Sequence, residues 1–256
     1  VFNNTIYNSR QWGIRVSRGD TTGTWGHIYN NTITTNTIVT NGYGVGAHGG
    51  MLEVYDNVIH ATNGRGIHIE GNNAKVHGND IDVIEFTSSE YPRVSAHGIK
   101  LEGCANAEIY NNTILSKGYV VSPTQTSIGA ALDFSVDVGS NNYIHNNTFT
   151  ARHLGGPGFT SGDYNTMYAT AIQALQTGNI DGNTGLRIED NTFISNDRFF
   201  SSTEWAVVDG AEPDRIIDAQ TISLARNTWI REPTALLLMK KDITFFQSSV
   251  SGLRFV

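Results

Sequence analysis

The chain has 256 residues, a net charge of −7 and only 16% charged residues. With no basic stripe, a nucleic-acid partner is not expected. No run of 18 apolar residues occurs, so no helical membrane span is encoded. The single cysteine, Cys104, excludes a disulfide framework or a cysteine-based zinc site and reads as a small turn residue.

The first residues, Val1-Phe2-Asn3-Asn4-Thr5-Ile6, open a motif that returns along the whole chain. Later copies are Ile28–Ile33, Val54–Ile59, Val76–Ile81, Ile109–Ile114, Ile144–Phe149, Ile188–Phe193 and Leu224–Trp229. The fourth position is always asparagine: Asn4, Asn31, Asn57, Asn79, Asn112, Asn147, Asn191 and Asn227. The first is always Val, Ile or Leu, and the sixth Ile, Phe or Trp. Recurrence at this scale is the mark of a solenoid.

A second motif lies between these copies. It reads Gly66-Ile67-His68-Ile69-Glu70, then Gly98-Ile99-Lys100-Leu101-Glu102, then Gly129-Ala130-Ala131-Leu132-Asp133. Its alternation is that of a strand, with Ile67 and Ile69 on one face and His68 and Glu70 on the other. Each repeat therefore holds at least two short strands with a turn at the asparagine. The asparagines form an inward ladder, each amide bonding its own turn and the amides above and below. The residue before each ladder position varies (Asp56, Gly78, Asp190, Arg226) and faces outward. The Asn-x-Thr sequences at Asn3, Asn30, Asn111 and Asn146 are by-products of this turn.

Long insertions begin in the middle of the chain. Val83–His97, Leu115–Ile128 and Thr150–Thr170 each precede the second motif and leave the solenoid at one corner. Phe134–Tyr143, Gln176–Arg187 and Gly210–Ile222 leave the opposite edge of the same strands. Two such sets flank one sheet as the walls of a groove, and long loops on one face of a repeat protein mark its working face. Arg18-Gly19-Asp20 reads as a polar turn. The repeat fades after Trp229, so residues 1–238 form the solenoid. Residues 239–256 form a closing segment or the start of further structure. Val1 already stands inside a repeat, so more chain or a neighbouring subunit is expected to cover the first coil.

The two interleaved motifs resemble the right-handed parallel β-helix proteins of the pectate-lyase-like superfamily. The resemblance implies an all-β, right-handed solenoid of about eight coils with long loops flanking one sheet. It also implies an extracellular or cell-surface location. It carries the fold over nearly the whole chain but not a reaction. Neither the paired-aspartate motifs of polygalacturonases nor the arginine-bearing strand motifs of pectate lyases occur.

Candidate chemistry comes from the outward positions of the second motif. Aligned on their glycines, these stack into one column through His68, Lys100 and Gln173 and another through His48, Glu70, Glu102 and Asp133. Three carboxylates on successive coils would be about 5 Å apart. Like charges so close call for a cation, either Lys100 and His68 or a bound Ca²⁺ held by Glu70, Glu102 and Asp133. Three readings stay open. Two carboxyls suit glycoside hydrolysis. A base with a cation suits elimination from a uronate, with Lys100, His68, Arg152 or Tyr164 as base. A mixed-charge ladder on a solvated sheet suits a non-catalytic segment of a surface, adhesion or structural protein. In the first two, a polysaccharide lies in the groove against His48, His97, Arg152, His153, Tyr164 and Gln173.

Overall fold

The computed structural model describes residues 1–17, 25–36, 42–86, 93–119, 126–134, 141–154, 167–174, 185–196, 198–201, 222–223, 225–232 and 254–255. Among them there is no helix. Their strands fall into three sheets, in which each strand pairs in parallel with strands from neighbouring turns of the chain. The protein is a parallel β-helix.

Sheet 1 runs from Thr5–Ser9 through Thr32–Asn36, Val58–Thr62, Asp80–Phe86, Thr113–Tyr119, Thr148–His153 and Thr192–Ser195 to Thr228–Arg231. Sheet 2 holds Trp12–Ser17, Tyr43–His48, Arg65–Glu70, Arg93–Glu102, Thr126–Phe134, Met167–Ala174 and Arg198–Ser201. Sheet 3 holds the short strands that enter the asparagine turn, from Gly26–Tyr29 to Ile222–Ser223. Each full coil thus has three strands. Arg254–Phe255 adds to the end of sheet 1 beside Thr228–Trp229.

The asparagine ladder joins sheet 3 to sheet 1. Asn112 shows its chemistry. Its Nδ2 donates to Asn147 Oδ1 at 2.9 Å and to the carbonyls of Tyr110 and Val76, both at 3.0 Å. Its Oδ1 accepts from the backbone N–H and the Nδ2 of Asn79, at 3.0 and 2.9 Å. Each bend therefore satisfies its own buried polar groups, as a buried turn must. The links continue from Asn4 to Asn227. Asn4, on the first coil, is exposed while the other seven are buried. The residue before each ladder asparagine is left-handed, with φ of 52° at Asn30, 53° at Asp56, 54° at Asn111 and 64° at Gly78. This is why Asn, Asp and Gly dominate that position.

Inside the coil, side chains stack in columns. Ile33, Ile59, Ile81, Ile114, Phe149, Phe193 and Trp229 form one, all buried. Its aromatic end stacks with centroids at 5.2 Å for Phe149–Phe193 and 4.4 Å for Phe193–Trp229. On sheet 2 the corner leaves no room for a side chain beneath this column. A Cβ on Gly98 would collide with Ile114 and with the carbonyl oxygen of Ala131. Cys104 is fully buried in the core, where burial pushes its thiol up to about 12.

Candidate functional site

The site lies on the outer face of sheet 2. Val45, Ile67, Ile99, Leu132 and Ile172 stand level with one another and fill the core. Alternation sends the next residue of each strand outward, giving the column Gly46, His68, Lys100, Asp133 and Gln173. The following outward column is His48, Glu70 and Glu102.

Asp133 is therefore beside Lys100, and the expected column of Glu70, Glu102 and Asp133 is not formed. Matching Gly129 to Gly98 moves that strand by two residues, whereas the structure sets Gly98 level with Ala131. A shift of two keeps every side chain on its expected face and changes only its neighbours. Gly129 instead allows a close approach between sheets. A Cβ there would lie 3.0 Å from the backbone nitrogen of Gly118, in the sheet 1 strand that packs against it. Ser116 Oγ bridges the same two sheets by donating to the carbonyl of Ala96 at 2.9 Å.

The cluster on this face has three parts. In the first, His48 Nδ1 contacts Glu70 Oε2. In the second, His68 Nε2 lies 3.0 Å from Glu102 Oε2 and 3.5 Å from Glu70 Oε1, while Lys100 Nζ contacts Glu102 Oε2. In the third, His97 Nδ1 stands 2.8 Å from Asp133 Oδ2, without the alignment of a hydrogen bond. Tyr43 supports the assembly, stacked on His68 at 4.8 Å and edge-on to His48 at 6.0 Å, with the Arg65 guanidinium 5.2 Å from its ring.

Though they face outward, most of these groups are closed off. His68, His97 and Asp133 are buried and Lys100 nearly so, while the Glu70 and Glu102 side chains remain 40% and 32% exposed. Burial, then the charge of Lys100 and Arg65, pushes His68 down to about 2, so its imidazole is neutral. A carboxylate only accepts, so Nε2 carries the proton toward Glu102 and Nδ1 keeps the lone pair. That Nδ1 has no hydrogen-bond partner; neither have His48 Nε2, either nitrogen of His97, or either oxygen of Asp133. Buried polar atoms are normally paired, and such a concentration makes this face the candidate site.

The remaining candidates fall elsewhere. Arg152 stands on sheet 1, where its Nε and Nη2 donate to the two oxygens of Glu232 at 2.8 and 2.7 Å. That bidentate pair raises the arginine and lowers the Glu232 carboxyl. His153 pairs through its backbone with Gly118 on the same sheet. Gln173 stands next to Asp133 in register. The side chains of His153 and Gln173, and Tyr164 altogether, lie outside the described residues, as do Arg18-Gly19-Asp20, the middle of each insertion of the first set and most of the second set; the described ends of the first set are mainly strand, extending sheets 1 and 2.

The sequence places His77 and His145 at outward positions on another face, sheet 3, but not the ring stack they join there. Phe2, Tyr29, Tyr55, His77, Tyr110 and His145 form one outer stack, with centroids 4.7–5.3 Å apart. The sequence does carry a signal for it, since each is the residue two before a ladder asparagine. Beside the stack, Glu53 accepts contacts from His27 at 2.9 Å and His77 at 3.1 Å. No family model, no curated protein and no solved structure matches this chain.

Proposed function

We propose that this protein acts on a uronate-containing polysaccharide outside the cell, by elimination, as a right-handed solenoid of the pectate-lyase-like kind. The substrate lies across strands Arg65–Glu70 and Arg93–Glu102. The supporting observation is the cluster on the outer face of sheet 2, where two partly open carboxylates stand over imidazoles and a lysine.

Elimination requires a base for the proton beside the sugar carboxylate, a positive charge on that carboxylate and a proton for the leaving oxygen. In this reading Glu102 takes the proton, and solvent at its open side supplies the proton that the leaving oxygen needs. One side of Glu102 is open to solvent, and the other is fixed by Lys100 and His68. Lys100 is the nearest cation for the sugar carboxylate. Holding base and cation on neighbouring outward positions of one strand removes the need to reorganise them during reaction.

Hydrolysis is the second reading, and one observation favours it. Glu70 and Glu102 both contact His68 Nε2, at 3.5 and 3.0 Å. Level with each other on adjacent strands, about 4.8 Å apart, they suit the spacing of a retaining pair better than the roughly 6.5–9.5 Å of an inverting one. Incubation with a panel of polysaccharides decides. New ultraviolet absorbance of an unsaturated uronate supports elimination. New reducing ends without that absorbance replace it with hydrolysis. No product from any glycan overturns both in favour of a non-catalytic surface or adhesion segment.

A further inference from the structure

We propose that His48, His68 and Glu70 form a binding site for a divalent first-row transition metal ion of the zinc class. One donor atom from each lies within 4.8 Å of the other two. Donors about 2.0–2.2 Å from a tetrahedral ion are roughly 3.4 Å apart, so small side-chain rotations close the set. The three residues come from adjacent strands, with Gly46 level with His68 and His48 level with Glu70. Gly46 makes the space, since a Cβ there would lie 3.0 Å from His48 Nε2.

A second, independent observation points to a ligand. Each imidazole has one nitrogen on a carboxylate and the other buried without a partner, at His48 Nε2 and His68 Nδ1. A carboxylate outside the ligand set on one ring nitrogen, as Glu102 is on His68, is the arrangement that orients metal-binding histidines. The local charge also asks for a cation. Among the described residues, Glu70 contacts only the two imidazoles and no lysine or arginine. Lys100 contacts Glu102 rather than Glu70, and Arg65 faces the Tyr43 ring.

The donor set decides the class of ion. Two imidazoles and one carboxylate suit zinc and its neighbours, whereas Ca²⁺ takes an all-oxygen shell. The Ca²⁺ expectation required Glu70, Glu102 and Asp133 together, and the register separates Asp133 from the other two. Three protein ligands leave a further position open. Within the elimination reading, an ion there would neutralise the sugar carboxylate, but metal binding does not depend on that reading.

The test uses the whole chain, stripped with chelator and titrated with Co²⁺ and Zn²⁺. One ion per chain is expected, with visible Co²⁺ bands that Zn²⁺ abolishes and excess Ca²⁺ does not. His48→Gln and Glu70→Gln should each weaken binding by at least about tenfold, with the β-sheet circular dichroism of the parent. His77→Gln, in the more exposed His27–Glu53–His77 group, should bind as the parent does. Absence of stoichiometric binding overturns the proposal. So does binding unchanged in both site variants, or displacement of Co²⁺ by Ca²⁺. A chain that binds zinc and cleaves no glycan upholds the metal site and rejects the enzymatic reading.

Discussion

The outer faces of sheets 2 and 3 are made of the same residue types and treat them in opposite ways. On sheet 3 the carboxylates are matched. Glu108 meets His145 at 3.3 Å and Lys75 at 3.9 Å. Glu189 accepts from Arg187 at 3.1 and 2.7 Å, from Ser223 at 2.8 Å and from Arg226 at 3.0 Å. The rings of this face stack upon one another. On sheet 2, histidine, glutamate and tyrosine again stand in register, yet six buried nitrogen and oxygen atoms of His48, His68, His97 and Asp133 make no hydrogen bond. A matched face stabilises the coil. An unmatched one is kept at a cost in stability, and such local conflict is found where a protein works.

The largest test of this contrast is catalytic. Glu102→Gln should lower kcat on a cleaved polysaccharide by roughly 10²–10⁴-fold, the range for loss of a general base. Its thermal midpoint should stay close to the parent's. An unchanged rate would remove Glu102 from the reaction.

The next test separates both faces from the ladder that carries them. Asn112→Ala should destabilise by about 1–3 kcal/mol in urea denaturation, because it leaves buried turn groups unpaired. The double variant His97→Leu with Asp133→Leu should go the other way. Replacing two poorly matched buried groups by apolar ones of similar size is expected to be neutral or to stabilise by up to about 3 kcal/mol. A large loss in that variant would mean that the pair is structural.

Acid should act on sheet 3 through Glu189. The Arg187 hydrogen bond, with those of Ser223 and Arg226, holds its carboxyl at about 2, well below the usual 4.5. The fold therefore favours the charged form. That contribution is complete above about pH 4.5 and is lost as pH falls toward 2. Urea melts across this window should show a shallower decline in Glu189→Gln than in the parent. The smallest effect belongs to Glu53→Gln. It should change stability by less than about 1 kcal/mol, the scale of a partly exposed pair, and leave cleavage at the parent rate.

By itself the sequence determined the solenoid. The recurring asparagine, the alternation of the second motif and the outward, variable residue before each ladder position are local patterns. Each states a physical requirement that every coil must meet. It also brought Glu70 and Glu102 onto adjacent strands and His68 beside Lys100. What it left open was register, because a pattern of period two looks the same when moved by two residues. Gly129 seemed to match Gly98, and only the packing of sheet 2 on sheet 1, with Gly129 against Gly118, sets Asp133 next to Lys100. Contacts between distant positions were likewise invisible. Arg152 has charge and loop position in its favour as a substrate ligand, yet its guanidinium is held by Glu232, 80 residues away. The column that sets His48 beside Glu70 was legible, whereas the burial of His68, His97 and Asp133 arises only when coils stack. Whether a polar side chain is matched or left with a free lone pair depends on neighbours that no single strand contains.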